Sequence, residues 1–131
     1  MENTEERLRR PKIDCALDAT MAVIGGKWKA TILCKLHTKG SMRFNQLMKE
    51  LEPVSPRILT KQLREMEQDG LITRAVKAEV PVCVEYSLSE KGRSLTPALI
   101  LLASWGIDNV FQPNVRFDEG TIIPERYCST S

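Results

Sequence analysis

The apolar positions of this chain change period twice, and the changes divide it into helices, a hairpin and a closing helix. Up to Gly70 they recur every three or four residues, then they alternate, and beyond Ser89 the longer period returns. Leu17, Met21 and Ile24 predict a first helix, capped by Asp14, with those three as its buried stripe and Gly25-Gly26 as its end. Trp28, Ile32 and Leu36 align on a second helix, from Lys27 or Trp28 to about His37, closed by Thr38-Lys39-Gly40. Ser41-Met42-Arg43 reads as a short extended piece. Phe44, Leu47, Met48 and Leu51 mark a third helix, and Glu52-Pro53-Val54 is a tight connection to the next.

The fourth segment, Ser55 to Gly70, carries the clearest signals. Ser55 suits an N-cap, Pro56 the first helical position, and Gly70 the left-handed residue that closes a helix. Leu59, Leu63 and Met66 fall on one face, while Arg57, Lys61, Arg64 and Gln68 lie opposite with Thr60 on their flank. One side must pack on a core; the other presents guanidinium, ammonium and amide donors. Taken alone, such a helix could equally be a solvated amphipathic one.

Beyond Gly70, Leu71 to Val76 reads as one strand and Val82 to Leu88 as a second, joined by a loop over Lys77 to Pro81. Alternation sets Val82, Val84, Tyr86 and Leu88 on one face and Cys83, Glu85 and Ser87 on the other. Ser89 caps a last helix with Leu95, Leu99, Leu102 and Trp105 as its apolar face. Pro97 is expected to kink that helix or reset its start. Residues 1–13 form a basic tail, expected to be flexible; residues 14–111 form one domain; residues 112–131 form a C-terminal tail.

Composition alters this picture in one respect. The 131 residues, 42% apolar and 27% charged, are ordinary for a soluble domain, and the net charge is only +2. The charge is uneven, however: through Lys77 there are 15 Lys and Arg against 10 Asp and Glu, and 4 against 7 after it. Lys27 to Lys49 holds six basic residues and no acidic one, which fits a polyanion footprint. The longest apolar run, Ala98 to Ala103, is too short to span a bilayer, and the acidic start is no secretory signal, so the cytoplasm is expected. There Cys15, Cys34, Cys83 and Cys128 are thiols, and with only His37 to join them no metal or other cofactor is expected.

Helices, a capped fourth, a two-stranded hairpin and a closing helix make the order of a winged helix-turn-helix, a mainly α (α+β) fold. The sequence resembles the HxlR family of bacterial winged-helix transcription regulators, relatives of the MarR group. The resemblance runs from Cys15 to about Trp105. It rests on Cys15 set thirteen residues before Trp28, Ile24-Gly25-Gly26-Lys27-Trp28, Arg43-Phe44-Asn45-Gln46-Leu47, Ser55-Pro56-Arg57-Ile58-Leu59, Leu63-Arg64-Glu65-Met66-Glu67, Gly70-Leu71-Ile72, Glu79-Val80-Pro81, Val84-Glu85-Tyr86-Ser87-Leu88 and Glu90-Lys91-Gly92. It implies a homodimer joined through terminal helices, a pseudo-palindromic double-stranded DNA operator, an oxidant or small-molecule effector, and no enzymatic activity. Two departures stand out: Ala16 follows Cys15 where the family usually has proline, and Cys83 occupies a wing position that is often basic.

The expected DNA contacts are Arg57 and Arg64, whose guanidinium forks match guanine or phosphate, with Ser55, Thr60 and Lys61 as backbone clamps. Arg43 and Asn45 at the start of the third helix, and Arg74 and Lys77 on the wing, are further phosphate candidates; Asn45 could instead cap its helix. Cys15, near a helix start, is the redox candidate, against the alternative of a small residue packed at a subunit interface. Trp28 and Trp105 are expected to be packing residues rather than ligand-stacking ones, Cys34 to lie in the core, and Asp14, Asp18, Glu65, Glu67 and Asp69 to be helix-terminus and surface charges rather than an acid/base pair. No phosphate loop, nucleophile motif or metal constellation supports an enzyme. The competing reading is a winged-helix adaptor that binds protein or effector without touching DNA.

Overall fold

A computed structural model describes residues 15–110. The expected basic tail, Asp14 as a cap, and the C-terminal tail with Cys128 lie outside the described residues. The elements are α1 (Ala16–Ile24), α2 (Lys29–Lys39), β1 (Ser41–Arg43), α3 (Phe44–Glu50), α4 (Pro56–Gln68), β2 (Ile72–Lys77), β3 (Cys83–Leu88) and α5 (Glu90–Asn109). This is the winged helix-turn-helix order. The core gathers Ile32, Leu33 and Leu36 of α2, Leu47 of α3, Leu59, Leu63 and Met66 of α4, and Leu88 and Leu99 beyond them.

The hairpin has a third strand. β1 pairs with β3 on the side away from β2, giving the antiparallel order β1-β3-β2 and making β3 central. Three residues are too few to show a period, so Ser41–Arg43 acquires its strand character from Ser87, Tyr86 and Glu85 opposite. Cross-strand partners share a sheet face. Met42, Tyr86 and Arg74 therefore lie on one face, and Arg43, Glu85, Cys83 and Lys77 on the other, as the alternation in 82–88 predicts for β3.

The junction between α4 and α5 is closely tied. Gly70 adopts φ +77, and its N–H and that of Leu71 bond the carbonyls of Glu67 and Met66 at 3.0 and 2.9 Å, a full Schellman closure. Ser89 caps α5 through Gly92 N–H, and Lys91 Nζ donates to the Asp69 carbonyl at 2.8 Å. A Cβ at Gly92 would stand 2.1 Å from the Leu71 carbonyl oxygen, so glycine alone permits this approach. Pro97 neither ends nor restarts α5, which runs through it with Leu95, Thr96 and Leu99 packed inward around it. That packing offsets the lost Arg93–Pro97 backbone bond.

Two expectations about burial need correction. In α1 only Ile24 is buried; Leu17 and Met21 are 68% and 48% exposed. In α5 Leu99 is buried, while Leu101, Leu102 and Trp105 of its apolar face stand out in solvent. Both helices are amphipathic as read, yet the core of one chain does not reach their outer stripes. Trp28, by contrast, packs against the core as expected.

Glu65 is not a surface charge either, and Asp69 stands at the helix terminus as expected, as the C-cap of α4, but is buried. Asp69 is 3% exposed, and the Glu65 carboxylate meets buried Lys29 Nζ at 2.6 Å, joining the start of α2 to the back of α4. Lys35 and Lys39 meet Glu50 at 3.4 and 3.9 Å, Arg43 meets Glu79 and Glu85, and Lys27 lies over the Trp28 ring. The acid-free stretch is thus answered by acids from elsewhere in the chain, and much of its charge is held inside the fold. Replacing Lys29 by Met should lower the unfolding free energy by about 3 kcal/mol, because it strips the cation from a buried carboxylate. Urea denaturation followed by circular dichroism checks this; an unchanged midpoint would show that the pair contributes nothing.

Candidate nucleic-acid interface

Helix α4 presents the expected cationic face. Ser55 Oγ accepts from Ile58 N–H at 3.1 Å and Pro56 takes the first helical position, so the helix start is built as the sequence reads. Leu59, Leu63 and Met66 are at most 2% exposed and point inward. Arg57, Lys61 and Arg64 are exposed and Thr60 is half-buried beside them. These four, with Pro56, line one open surface depression. Among the described residues none of the three cations is held by an ion pair.

A second cleft lies between α4 and the sheet, lined by Thr60, Leu63, Arg64, Glu67, Arg74 and Tyr86, with a volume of about 320 Å³. Arg74 comes from β2 and Tyr86 is its partner across β3, so the sheet face that carries them turns toward α4. Of the wing candidates, the structure brings only Arg74 together with the helix residues. Arg43 and Lys77 occupy the opposite sheet face. There Arg43 Nη2 lies 3.4 Å from Glu79 Oε2 and Nε 4.0 Å from Glu85 Oε1, while Lys77 Nζ lies 3.8 Å from Glu85 Oε2. Glu79, Glu85, Glu67 and Tyr86 were not among the residues the sequence singled out. The alternation of β3 did place Glu85 with Cys83, but not which cations would meet it.

Asn45 is exposed and does not cap α3; Arg43 holds the cap position, and its backbone N–H is taken by Gln46 Oε1 at 2.8 Å. Asn45 is therefore not needed by the helix start.

The described cysteines occupy three different settings. Cys15 is exposed and is itself the N-cap of α1, its Sγ accepting from Asp18 N–H at 3.4 Å. Cys34 packs against the core, where burial pushes its thiol up in spite of the neighbouring Lys35. Cys83 donates to Glu79 Oε2 at 3.5 Å; partial burial raises its pKa, Arg43 works against this, and the Glu79 and Glu85 carboxylates add to it. Of the three, Cys15 is the exposed one.

Residues 23–114 match the family described as HxlR-like helix-turn-helix. The chain belongs to this family. The HTH-type transcriptional regulator YtcD of Bacillus subtilis strain 168 is 45% identical to it over 103 residues, 79% of this chain and 81% of its own length. The solved structure of the redox regulator HypR in its reduced form superposes with a TM-score of 0.67 at 41% identity, covering 72% of this chain and 93% of that one. The oxidised form of HypR gives 0.67 at 40% identity, over 75% of this chain and all of that one. This HxlR-like protein is thus a transcriptional regulator with a helix-turn-helix domain, and its neighbours include a regulator solved in two redox states. No helix among its described residues is long and apolar enough to cross a membrane.

Proposed function

We propose that this HxlR-like regulator is a cytoplasmic homodimer that binds a pseudo-palindromic operator, with α4 of each subunit in the major groove and the wing beside it. The observation that carries this reading is the division of α4 into a fully buried apolar back and an exposed front of Arg57, Lys61 and Arg64. A helix held this rigidly can present guanidinium forks to base edges at a set depth. Arg57 and Arg64 read bases or grip phosphate, Lys61, Thr60 and Ser55 clamp the backbone, Asn45 meets phosphate from α3, and Arg74 grips it from the wing. The working unit is residues 14–111.

The dimer is supported by the outward stripes of α1 and α5. Leu17, Met21, Leu101, Leu102 and Trp105 are all about half to three-quarters exposed in the single chain, an apolar surface that a second copy would cover. Two-fold pairing through these helices would set two α4 helices against two half-sites. The adaptor reading has no comparable support, since it leaves the cations of α4 without a task. Arg64→Ala should weaken operator binding by about 1–3 kcal/mol at fixed salt if Arg64 reads a base. A titration with unchanged affinity would remove Arg64 from the interface.

The same protein responds to oxidants through Cys15. This is supported by the exposure of Cys15 at the tip of α1, beside the apolar stripe, and by the redox regulator among its structural neighbours. Two thiols of opposite subunits would lose two protons and two electrons to the oxidant as the disulfide forms. Treatment with diamide, which accepts both, should produce a dimer on a non-reducing gel that is absent in Cys15→Ser. A wild-type protein that stays monomeric on that gel, with DNA affinity unaltered, would end the redox reading.

A further inference from the structure

We infer that Glu79 and Glu85 hold Arg43 and Lys77 on the far face of the wing as positioning residues, so that neither cation counts as a phosphate contact. The inference rests on the DNA-binding reading and refines which residues carry it. The sheet register is the first ground. Arg43 pairs with Glu85 in β1·β3, and Ala75 pairs with Glu85 and Lys77 with Cys83 in β2·β3, so all of these share one face. Arg74 and Tyr86 pair on the other face, the one that forms the cleft with Thr60 and Arg64 of α4. The two cations therefore point away from the side on which the wing meets α4.

The second ground is the closed charge arrangement on that far face. Glu85, on the central strand and 26% exposed in its side chain, stands between Arg43 at 4.0 Å and Lys77 at 3.8 Å. Glu79, in the loop that follows β2, takes the other side of the Arg43 guanidinium at 3.4 Å and accepts from Cys83 at 3.5 Å. Two cations and two carboxylates sum to zero. Arg43 thereby joins the end of β1 to β3 and to the loop after β2. What the wing retains toward DNA is Arg74 and an apolar tip, on which Val80 is fully exposed and Val82 67% exposed.

Counterion release makes this countable, because log K falls against log salt with a slope of about 0.9 for each phosphate neutralised. Binding to a labelled duplex cut from the DNA flanking its own gene is measured from low to moderate salt, with each variant first shown folded by its thermal transition. The R43Q/K77Q variant should keep the wild-type slope, while Arg74→Gln should flatten it by about 0.9 as an internal standard. Freeing the cations with E79Q/E85Q should steepen the slope by up to about 1.8, and adding R43Q/K77Q to that background should restore it. A flatter slope for R43Q/K77Q alone overturns the inference, since the cations would then be phosphate contacts. An unchanged slope for E79Q/E85Q overturns it as well, because the carboxylates would then hold nothing back. Should the wild-type protein show no salt-dependent binding, the DNA reading itself fails, a result distinct from either.

Discussion

Everything this regulator can do with DNA depends on how firmly α4 is fixed about its own axis. Leu59, Leu63 and Met66 bury almost completely, and burial of such side chains contributes about 1.5–3 kcal/mol each. Apolar packing is non-directional, however, and would tolerate a roll of the helix by a fraction of a turn. The Lys29–Glu65 contact at 2.6 Å is directional and sits on the back of α4. It ties the helix to the start of α2, while the Gly70 closure seals its end and the Lys91–Asp69 bond ties that end to α5. Together these constraints decide where Arg57, Lys61 and Arg64 point.

Local signals were legible wherever the chain obeys a single rule over consecutive residues. The cap, proline and glycine of α4 stand where their backbone chemistry requires, and the alternation of β3 sorts its side chains onto the faces observed. Long-range pairing was not legible. The run from Lys27 to Lys49 looked like a surface for polyanions because its acids are remote in sequence; Glu65, Glu79 and Glu85 come back to it only in the folded chain. Strand β1 is extended as Ser41-Met42-Arg43 reads, but its partner, β3, lies far along the chain and is not legible locally. The outward stripes of α1 and α5 show the converse: a helical period reports that a face is apolar, not what covers it.

Cys15 and α4, the proposed sensor and reader, are linked by a short path in this architecture. Cys15 caps α1, α1 leads through Gly25-Gly26 to α2, and Lys29 in the first turn of α2 holds Glu65 of α4. A change at Cys15 would reach α4 through one helix and one ion pair. The wing is organised on other terms. Its inner face, with Arg74, turns toward α4 while its outer face balances its own charges.

The central claim is that α4 carries this protein onto DNA by neutralising phosphates and reading base edges. A footprint on the intergenic DNA flanking its gene, repeated across a salt series, tests it most directly. Two half-sites about one helical turn apart should be protected, and the protection should be lost steeply as salt rises. Absence of protection, or protection indifferent to salt, would contradict it.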